Sequence, residues 1–276
     1  MNTYRSGLRT YRPVSWRGLL RGALVLAITS MLTVALAAPA LATPKGIFAI
    51  FAQCPVADPE VNICNYLPGT GGELTIGSRK VSFGTALTIQ GGAIVNEETG
   101  NEVFVDAANG ETLSKAPLPV SGLHGVTATL ELVGTPSISR ADMFFQEGVA
   151  LSLPLRIHLQ GRLLGSTCYI GSETSPVTVP LRTGPTDPPP PNASIEGSPG
   201  HLKFPIEDII VELLENRLVE NAFAEPGVSG CGGSLSFIVD PLLDARLGLP
   251  SAAGHNTMVF EDTFFEATAE SVKNSE

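Results

Sequence analysis

The sequence predicts an all-β fold, an antiparallel sandwich or barrel-like domain with one short helix near the C-terminus and two disulfide bonds. The strongest observation is a strict alternation in which six apolar residues occupy every second position: Val149, Leu151, Leu153, Leu155, Ile157 and Leu159. This spacing places all six side chains on one face of a strand. Clusters of glycine, asparagine and proline separate this segment from other short apolar runs, as is typical of sandwiches and barrels.

The first 42 residues are typical of a secretory signal peptide. They contain five arginines and no acidic residue, followed by an apolar run over residues 22–36 and the motif Ala40-Leu41-Ala42. A permanent membrane anchor is the alternative, because the run can be extended to about 17 residues, the lower limit for crossing a bilayer. The small-residue motif favours cleavage after Ala42. We therefore expect a secreted, extracellular protein, free or associated with the cell wall, with a single domain over residues 43–276.

Removal of the leader leaves an acidic chain. Residues 43–276 keep 12 of the 17 Lys and Arg residues (17 minus 5) and all 27 acidic residues, so their formal charge is −15 (12 minus 27). Nucleic acids and anionic lipids both require a basic surface for binding. We therefore expect no nucleic-acid partner and no membrane contact after cleavage. The sequence does not identify a partner; a cell-wall component and another secreted protein are the two candidates.

All four cysteines, Cys54, Cys64, Cys168 and Cys231, follow the leader. An even number of cysteines in an exported chain indicates two disulfide bonds. Of the three pairings, we expect Cys54 with Cys64, which closes a short loop, and Cys168 with Cys231. The nearest pair is ten residues apart, which does not match the C-x2-C spacing of a zinc site. The cysteines therefore predict no metal site.

Shorter segments supply the remaining strands. Residues 74–76 and 81–83 flank Gly77-Ser78-Arg79, which is a hairpin signal. Further strands are expected over residues 87–90, 103–106, 126–133, 177–181 and 256–267. Pro154 lies on the opposite face of the long alternating segment. It indicates an edge strand or a bulge there, because proline cannot donate to a sheet ladder.

Residues 206–223 fit two interpretations. Their apolar residues match a helical stripe as well as a strand. We interpret them as a hairpin that turns near residues 215–217, with a helix as the alternative. The one helix expected near the C-terminus runs from Pro241 to about Leu247, with Asp240 as its N-cap and Gly248 past its end.

A glycine-rich stretch contains one cysteine of the second expected disulfide bond, and a proline-rich stretch lies between its two cysteines. Residues 226–234 carry Cys231 and are expected to turn sharply before a strand that contains Leu235, Phe237 and Val239. Residues 184–192 are rich in proline and predict an extended polyproline II segment, which is often a linker. They lie between Cys168 and Cys231, so pairing of those cysteines would make them an internal loop of one domain.

No stretch of the sequence supplies a recognisable catalytic set. The segment from Gly227 to Cys231 begins like a nucleophile elbow, but that motif requires glycine where Cys231 stands. The four histidines are isolated, without the i, i+4 spacing of a metalloprotease helix. His158 alternates with the apolar face of its strand and is expected to point to solvent. We predict no catalytic residue and no cofactor; a hydrolase with Ser229 as nucleophile and His255 as base is the alternative.

Two acidic pairs could supply oxygen ligands to Ca²⁺, Glu97-Glu98 and Glu261-Asp262. Neither pair lies in the D-x-D-x-D-G spacing of a calcium loop. We therefore interpret both as solvated loop charges.

Five motifs are distributed over most of the chain after the leader: Phe51-Ala-Gln-Cys-Pro-Val56, Gly71-Gly-x-Leu-x-Ile-Gly77, Cys168-Tyr-Ile-Gly-Ser172, Pro226-Gly-Val-Ser-Gly-Cys-Gly-Gly233 and Leu247-Gly-Leu-Pro-Ser-Ala-Ala-Gly-His-Asn-Thr257. Together they resemble a family of secreted actinobacterial proteins of uncharacterised function. The resemblance implies export from a Gram-positive actinobacterium, and it implies no activity.

The sequence therefore favours a non-catalytic secreted or cell-envelope protein with a binding or structural role. The hydrolase is one alternative to this role. A carrier of a small ligand or lipid, which would use the mouth of a barrel, is the other.

Overall fold

Two antiparallel sheets pack face to face in the computed structural model, which describes residues 43–96, 98, 101–206 and 210–276, with the backbone alone at 204–206. The expected leader and Glu97 lie outside the described residues. Numbered in chain order, the strands are β1 (Ile63–Ile76), β2 (Arg79–Ser82), β3 (Thr88–Val95), β4 (Glu102–Asp106), β5 (Leu118–Pro119), β6 (Val126–Leu132), β7 (Ser137–Ile138), β8 (Leu151–Gly161), β9 (Tyr169–Ile170), β10 (Val177–Leu181), β11 (His201–Ile206), β12 (Ile210–Glu220), β13 (Val228–Ser229) and β14 (Thr257–Thr268).

Long strands form the centre of each sheet, namely β14 and β1 in the first and β8 in the second. The first sheet has the order β11-β12-β14-β1-β3-β4, with β2 also paired to β1. The second sheet has the order β13-β9-β8-β6-β5, and β7 and β10 pair with β8 as well. The helices are α1 (Arg140–Phe145), α2 (Ser236–Leu247) and α3 (Ala269–Asn274), with 3₁₀ turns at Gly46–Phe51 and Gly233–Leu235. The predicted all-β sandwich with a short C-terminal helix is confirmed.

The main core lies between the two sheets and follows from the alternation in the sequence. In β8 the residues from Leu151 to Leu159 alternate between buried and half-buried positions, as expected for a strand with one face in the core. They pack in one apolar cluster with Leu67 and Leu74 of β1 and Phe260 of β14. Burial of each such side chain stabilises the fold by about 2 kcal/mol relative to an exposed position.

A second, smaller apolar cluster covers the outer face of the first sheet. Phe51 from the N-terminal 3₁₀ turn and Val272 from α3 pack there with Ile210 and Ala267 of the sheet. Cys54 and Cys64 belong to the same cluster. The 3₁₀ turn at Gly46–Phe51 and helix α3 therefore form a third layer over this sheet.

Both expected disulfide bonds are present. Cys54 pairs with Cys64, with Cα atoms 5.4 Å apart, and Cys168 pairs with Cys231, with Cα atoms 4.1 Å apart. Gly230, just before Cys231, adopts a φ of 74°. A Cβ at Gly230 would lie 2.3 Å from the carbonyl oxygen of Thr167, so only glycine fits this turn.

The helix near the C-terminus begins earlier than the sequence suggests. The expected strand through Leu235, Phe237 and Val239 is wrong, because α2 already begins at Ser236. Asp240 is not the N-cap, since its carboxylate accepts hydrogen bonds from the backbone N–H groups of Gly230 and Cys231 in the cystine turn. Pro241 therefore lies inside the helix. The predicted end is confirmed, with Gly248 at a φ of 78°.

Most of the described part of segment 206–223 is extended, but its turn was misplaced. The interpretation as strand is confirmed for Ile210–Glu220, whereas the hairpin turn near residues 215–217 is wrong because β12 continues through them. Strand β12 instead pairs antiparallel with the preceding strand β11, with Ile210 opposite Ile206. Glu215 has a φ of 57°, and the pairing of β12 with β14 shifts register between Leu213 and Asn216. The turn signal at residues 215–217 therefore marks a β-bulge within one continuous strand.

Pro154 lies in a central strand, so the expectation of an edge strand is wrong. Its carbonyl oxygen accepts from the N–H of Val133, immediately after the ladder between β6 and β8 ends at Leu132. The next strand on that side, β7, begins its pairing with β8 at Ser152. The missing N–H therefore falls at a break between two partner strands.

The proline-rich residues 184–192 run as an internal loop of this sandwich. Pro185 bridges to Glu196, and the Asn192 side chain donates to the carbonyl oxygens of Asn221 and Asn256. These contacts fix both ends of the loop. In the part of the chain that is described, no helix is long and apolar enough to cross a bilayer.

Candidate binding cleft

Helix α1 forms one wall of the principal cleft, and local sequence explains its position. The Ser139 hydroxyl accepts from the N–H of Asp142 and caps the helix, while Met143 is buried in the core. The helix ends at Gln146, which adopts a φ of 60°. The Thr183 hydroxyl lies 3.1 Å from the carbonyl oxygens of Asp142 and Met143, which fastens α1 to the chain after β10.

The cleft lies between α1 and strands of the first sheet, and its volume is about 790 Å³. We call it the α1 cleft. Its walls are mainly apolar and come from distant parts of the sequence: Ile138, Ala141, Phe144, Phe145, Leu202 and Val211. The polar residues that line it are Asn101, Glu102, Ser139, Arg140 and Glu266. Clefts of this size with apolar walls and a few convergent polar groups are typical of small-molecule sites.

One arginine joins two carboxylates in this cleft. The Arg140 Nη1 atom lies 2.9 Å from Oε1 of Glu266, and its Nε atom lies 3.4 Å from Oε2 of Glu102. The side chains of Glu102 and Glu266 are only 6% and 12% exposed. The two carboxyl groups are therefore largely shielded from water, which strengthens their charge interactions, while the Arg140 side chain is 29% exposed.

Burial perturbs all three of these groups. It raises the pKa of Glu102 and of Glu266, because desolvation disfavours the carboxylate more than Arg140 stabilises it. Burial alone would lower the pKa of Arg140, but Glu266 and Glu102 raise it overall. The positive charge of Arg140 is thus fixed, while the two carboxyl groups hold their protons more tightly than ordinary glutamates.

Two carboxylate oxygens beside Arg140 are buried and have no hydrogen-bond partner among the described residues. They are Oε1 of Glu102 and Oε2 of Glu266, whereas the other oxygen of each carboxylate pairs with the arginine. Asn65, which pairs with Glu266 across β1 and β14, also has both of its side-chain polar atoms unpartnered among these residues. Buried polar atoms of proteins are normally hydrogen-bonded, so each carboxylate can accept a further hydrogen bond.

The residues singled out by the sequence lie elsewhere. The interpretation of Glu261-Asp262 as solvated loop charges is wrong, because both residues lie within β14 and Asp262 is fully buried. The four cysteines form the two disulfide bonds. Ser229 is exposed in β13, and the N–H of His255 donates to Ala252 in a turn. Within the described ranges, no hydrogen bond joins Ser229 to His255, and no group of three or more His, Cys, Asp or Glu residues could hold a metal ion.

His158 does not point to solvent as expected. Its side chain is 13% exposed, and its ring stacks on Tyr169 with centroids 4.5 Å apart. Its Nδ1 atom lies 3.4 Å from Glu131, and the Arg156 guanidinium covers the same tyrosine ring at 4.6 Å. The alternation correctly placed His158 outside the core, but neighbouring long side chains cover it.

The α1 cleft was missed at the level of sequence. Arg140 lies 38 residues from Glu102 and 126 from Glu266, so no local motif contains the three groups. The only local signal is the capping serine that begins α1. Helix α2 also presents an exposed apolar face, on which Leu235, Phe237, Ile238 and Leu242 are 48–73% exposed.

Comparisons of the chain with protein-family models, with curated proteins and with solved structures find no match.

Proposed function

We propose that this chain is an exported, non-catalytic protein that binds a small amphipathic ligand in the α1 cleft. The main support for this proposal is the cleft itself, which has a volume of about 790 Å³ and a mainly apolar lining that includes Glu102, Arg140 and Glu266. Such a shape matches the size and lining of small-molecule sites, in which apolar contacts supply affinity and a few polar groups fix orientation. Of the roles that the sequence left open, the small-ligand carrier thus has the most specific support.

Export is supported by the leader and by the disulfide bonds. Disulfide bonds persist in oxidising compartments and are rare in the cytosol of mesophiles. The motifs that resemble secreted actinobacterial proteins support the same location, free or at the cell wall. Fractionation of the producing cells tests this part: the protein should be recovered in the medium or envelope, and its recovery in the cytosol would contradict export.

A fluorescent probe tests ligand binding directly. N-phenyl-1-naphthylamine is uncharged and brightens in apolar surroundings, so it should bind the purified protein saturably at one site. Ala141 is exposed on α1 and lines the cleft. Ala141→Trp should therefore fill the cleft and weaken probe binding by at least about tenfold, because a bulky ring would occupy the ligand volume.

Leu242→Trp is the matched control, because it adds the same side chain to the exposed apolar face of α2. It should leave probe affinity unchanged. Absence of saturable binding, or equal effects of the two tryptophan variants, would overturn the assignment of the cleft. A parallel screen against ester, peptide and glycan substrates tests the hydrolase alternative, for which activity lost in Ser229→Ala would be decisive.

A further inference from the structure

The charges that line the α1 cleft do not balance. Among the described residues that line it, Arg140 is the only basic one, and it faces two acidic residues, Glu102 and Glu266. With both carboxyl groups ionised, the lining carries one excess negative charge. The surrounding protein is acidic as well, since residues 43–276 carry a formal charge of −15 (12 minus 27). Long-range and local fields therefore both attract a cation and repel an anion.

The carboxylate oxygens without a hydrogen-bond partner also favour a cationic ligand. Glu102 lines the cleft with a side chain only 6% exposed, and its Oε1 atom has no hydrogen-bond partner. The Oε2 atom of Glu266 is in the same state. Both atoms accept hydrogen bonds when the carboxyl groups are ionised, so a ligand that supplies donors is complementary to that state. The two contacts between Arg140 and these glutamates already direct its charge toward them, and an anion at Arg140 would lie close to both carboxylates.

The apolar residues that line the cleft indicate the chemistry of the rest of the ligand. Ile138, Leu202 and Val211 supply aliphatic surface, and Phe144 and Phe145 supply aromatic rings. Aromatic faces attract ammonium groups, and aliphatic walls favour a hydrocarbon body. The raised pKa values of Glu102 and Glu266 agree with this, because a second cation would relieve the cost of burying two carboxylates beside one arginine.

We infer that the ligand of the α1 cleft is an amphipathic amine, with a protonated amino group at Glu102 and Glu266 and an apolar body along α1. This inference rests on the proposed function and specifies the head group of its ligand. The ammonium donates to the two carboxylates, and the apolar body lies against Ile138 and Phe144. No bond is made or broken in this binding.

Three probes of equal chain length test the head group. Octylamine, octanol and octanoate are titrated into the purified protein at pH 7 by calorimetry, and each is also used to displace N-phenyl-1-naphthylamine. Octylamine should bind on the order of tenfold more tightly than octanol, because it forms charge-assisted hydrogen bonds. Octanoate should bind most weakly.

Two variants test the residues. Glu102→Gln should weaken octylamine binding on the order of tenfold and leave octanol affinity within about twofold, because only the charge is removed. The unchanged octanol affinity shows that the cleft remains folded. Glu173→Gln is the matched control, since Glu173 also pairs with an arginine, Arg156, but lies outside the α1 cleft. It should change neither affinity.

The outcomes separate the inference from the proposed function. Equal or tighter binding of octanol or octanoate would overturn the amine assignment, while the blocked binding in Ala141→Trp would still support a ligand cleft. Equal effects of Glu102→Gln and Glu173→Gln on octylamine would also overturn it. Failure of the naphthylamine probe and of all three octyl compounds would overturn both.

Discussion

Asp262 makes the stability of this protein depend on pH in an unusual direction. It is fully buried in β14, and the Asn216 side chain donates to its two carboxylate oxygens at 3.2 and 3.3 Å. Burial raises the pKa of Asp262 from an ordinary value of 3.8 to about 8, and the hydrogen bond from Asn216 only partly opposes this. We therefore expect Asp262→Asn to stabilise the protein at neutral pH.

The direction and size follow from proton linkage. Because the folded pKa is raised, the stability due to Asp262 is fully present below about pH 4 and is lost as pH rises toward 8. Between pH 4 and pH 7 the unfolded chain releases a proton that the folded chain retains. At about 1.4 kcal/mol per pH unit, this lowers the free energy of unfolding by about 4 kcal/mol. Asparagine has no such proton to retain.

Urea unfolding at pH 4, 5, 6, 7 and 8 measures this effect. The free energy of unfolding of the unmodified protein should fall across this range, and that of Asp262→Asn should fall less steeply. A residual slope is expected from Glu225, whose pKa burial raises to about 8 against the hydrogen bond from the N–H of Gly77. Glu261→Gln, at the exposed neighbouring position, is the control. Parallel pH profiles for Asp262→Asn and the unmodified protein would refute the reasoning.

Three further substitutions test the framework. Cys231→Ser should lower the free energy of unfolding by about 4 kcal/mol and Cys64→Ser by about 3 kcal/mol in denaturant melts, because the two bridges span 63 and 10 residues; equal losses would contradict this order. Asp240→Ala removes the acceptor of two backbone N–H groups in the cystine turn and should cost about 2 kcal/mol by the same assay; an unchanged midpoint would contradict that role. Gly254→Ala should lower the free energy of unfolding by about 3 kcal/mol, because the added Cβ would lie 2.2 Å from a backbone oxygen of the proline-rich loop. Gly110→Ala, also at positive φ but facing open space, should lower it by about 1 kcal/mol. Equal losses would show that the loop is not packed against Gly254.

The features that the sequence predicted are those with local causes. The alternation along β8 and the two-residue turn between β1 and β2 depend on neighbouring residues, so both could be recognised without the structure. The disulfide pairing could be anticipated because four cysteines allow only three pairings, and in one of them Cys54 and Cys64 close a short loop. Each of these features depends on one short stretch of sequence or on the number of cysteines.

The features that were missed depend on contacts between distant residues. The alternation of Leu235, Phe237 and Val239 resembles a strand, but Asp240 bonds to the cystine turn and the helix forms through these residues. The turn near residues 215–217 was misplaced because a single left-handed residue makes a bulge rather than a reversal. The α1 cleft could not be predicted, since strand order alone brings Glu102 and Glu266 to the same arginine.

Intermolecular nuclear Overhauser effects between octylamine and the isotope-labelled protein would show which surface holds the apolar body of the ligand. We expect contacts from the octyl methylene protons to Ile138 and Phe144 in the α1 cleft. Contacts instead to Phe237 and Ile238 on the exposed face of α2, with none to Ile138, would rule out the α1 cleft as the ligand site.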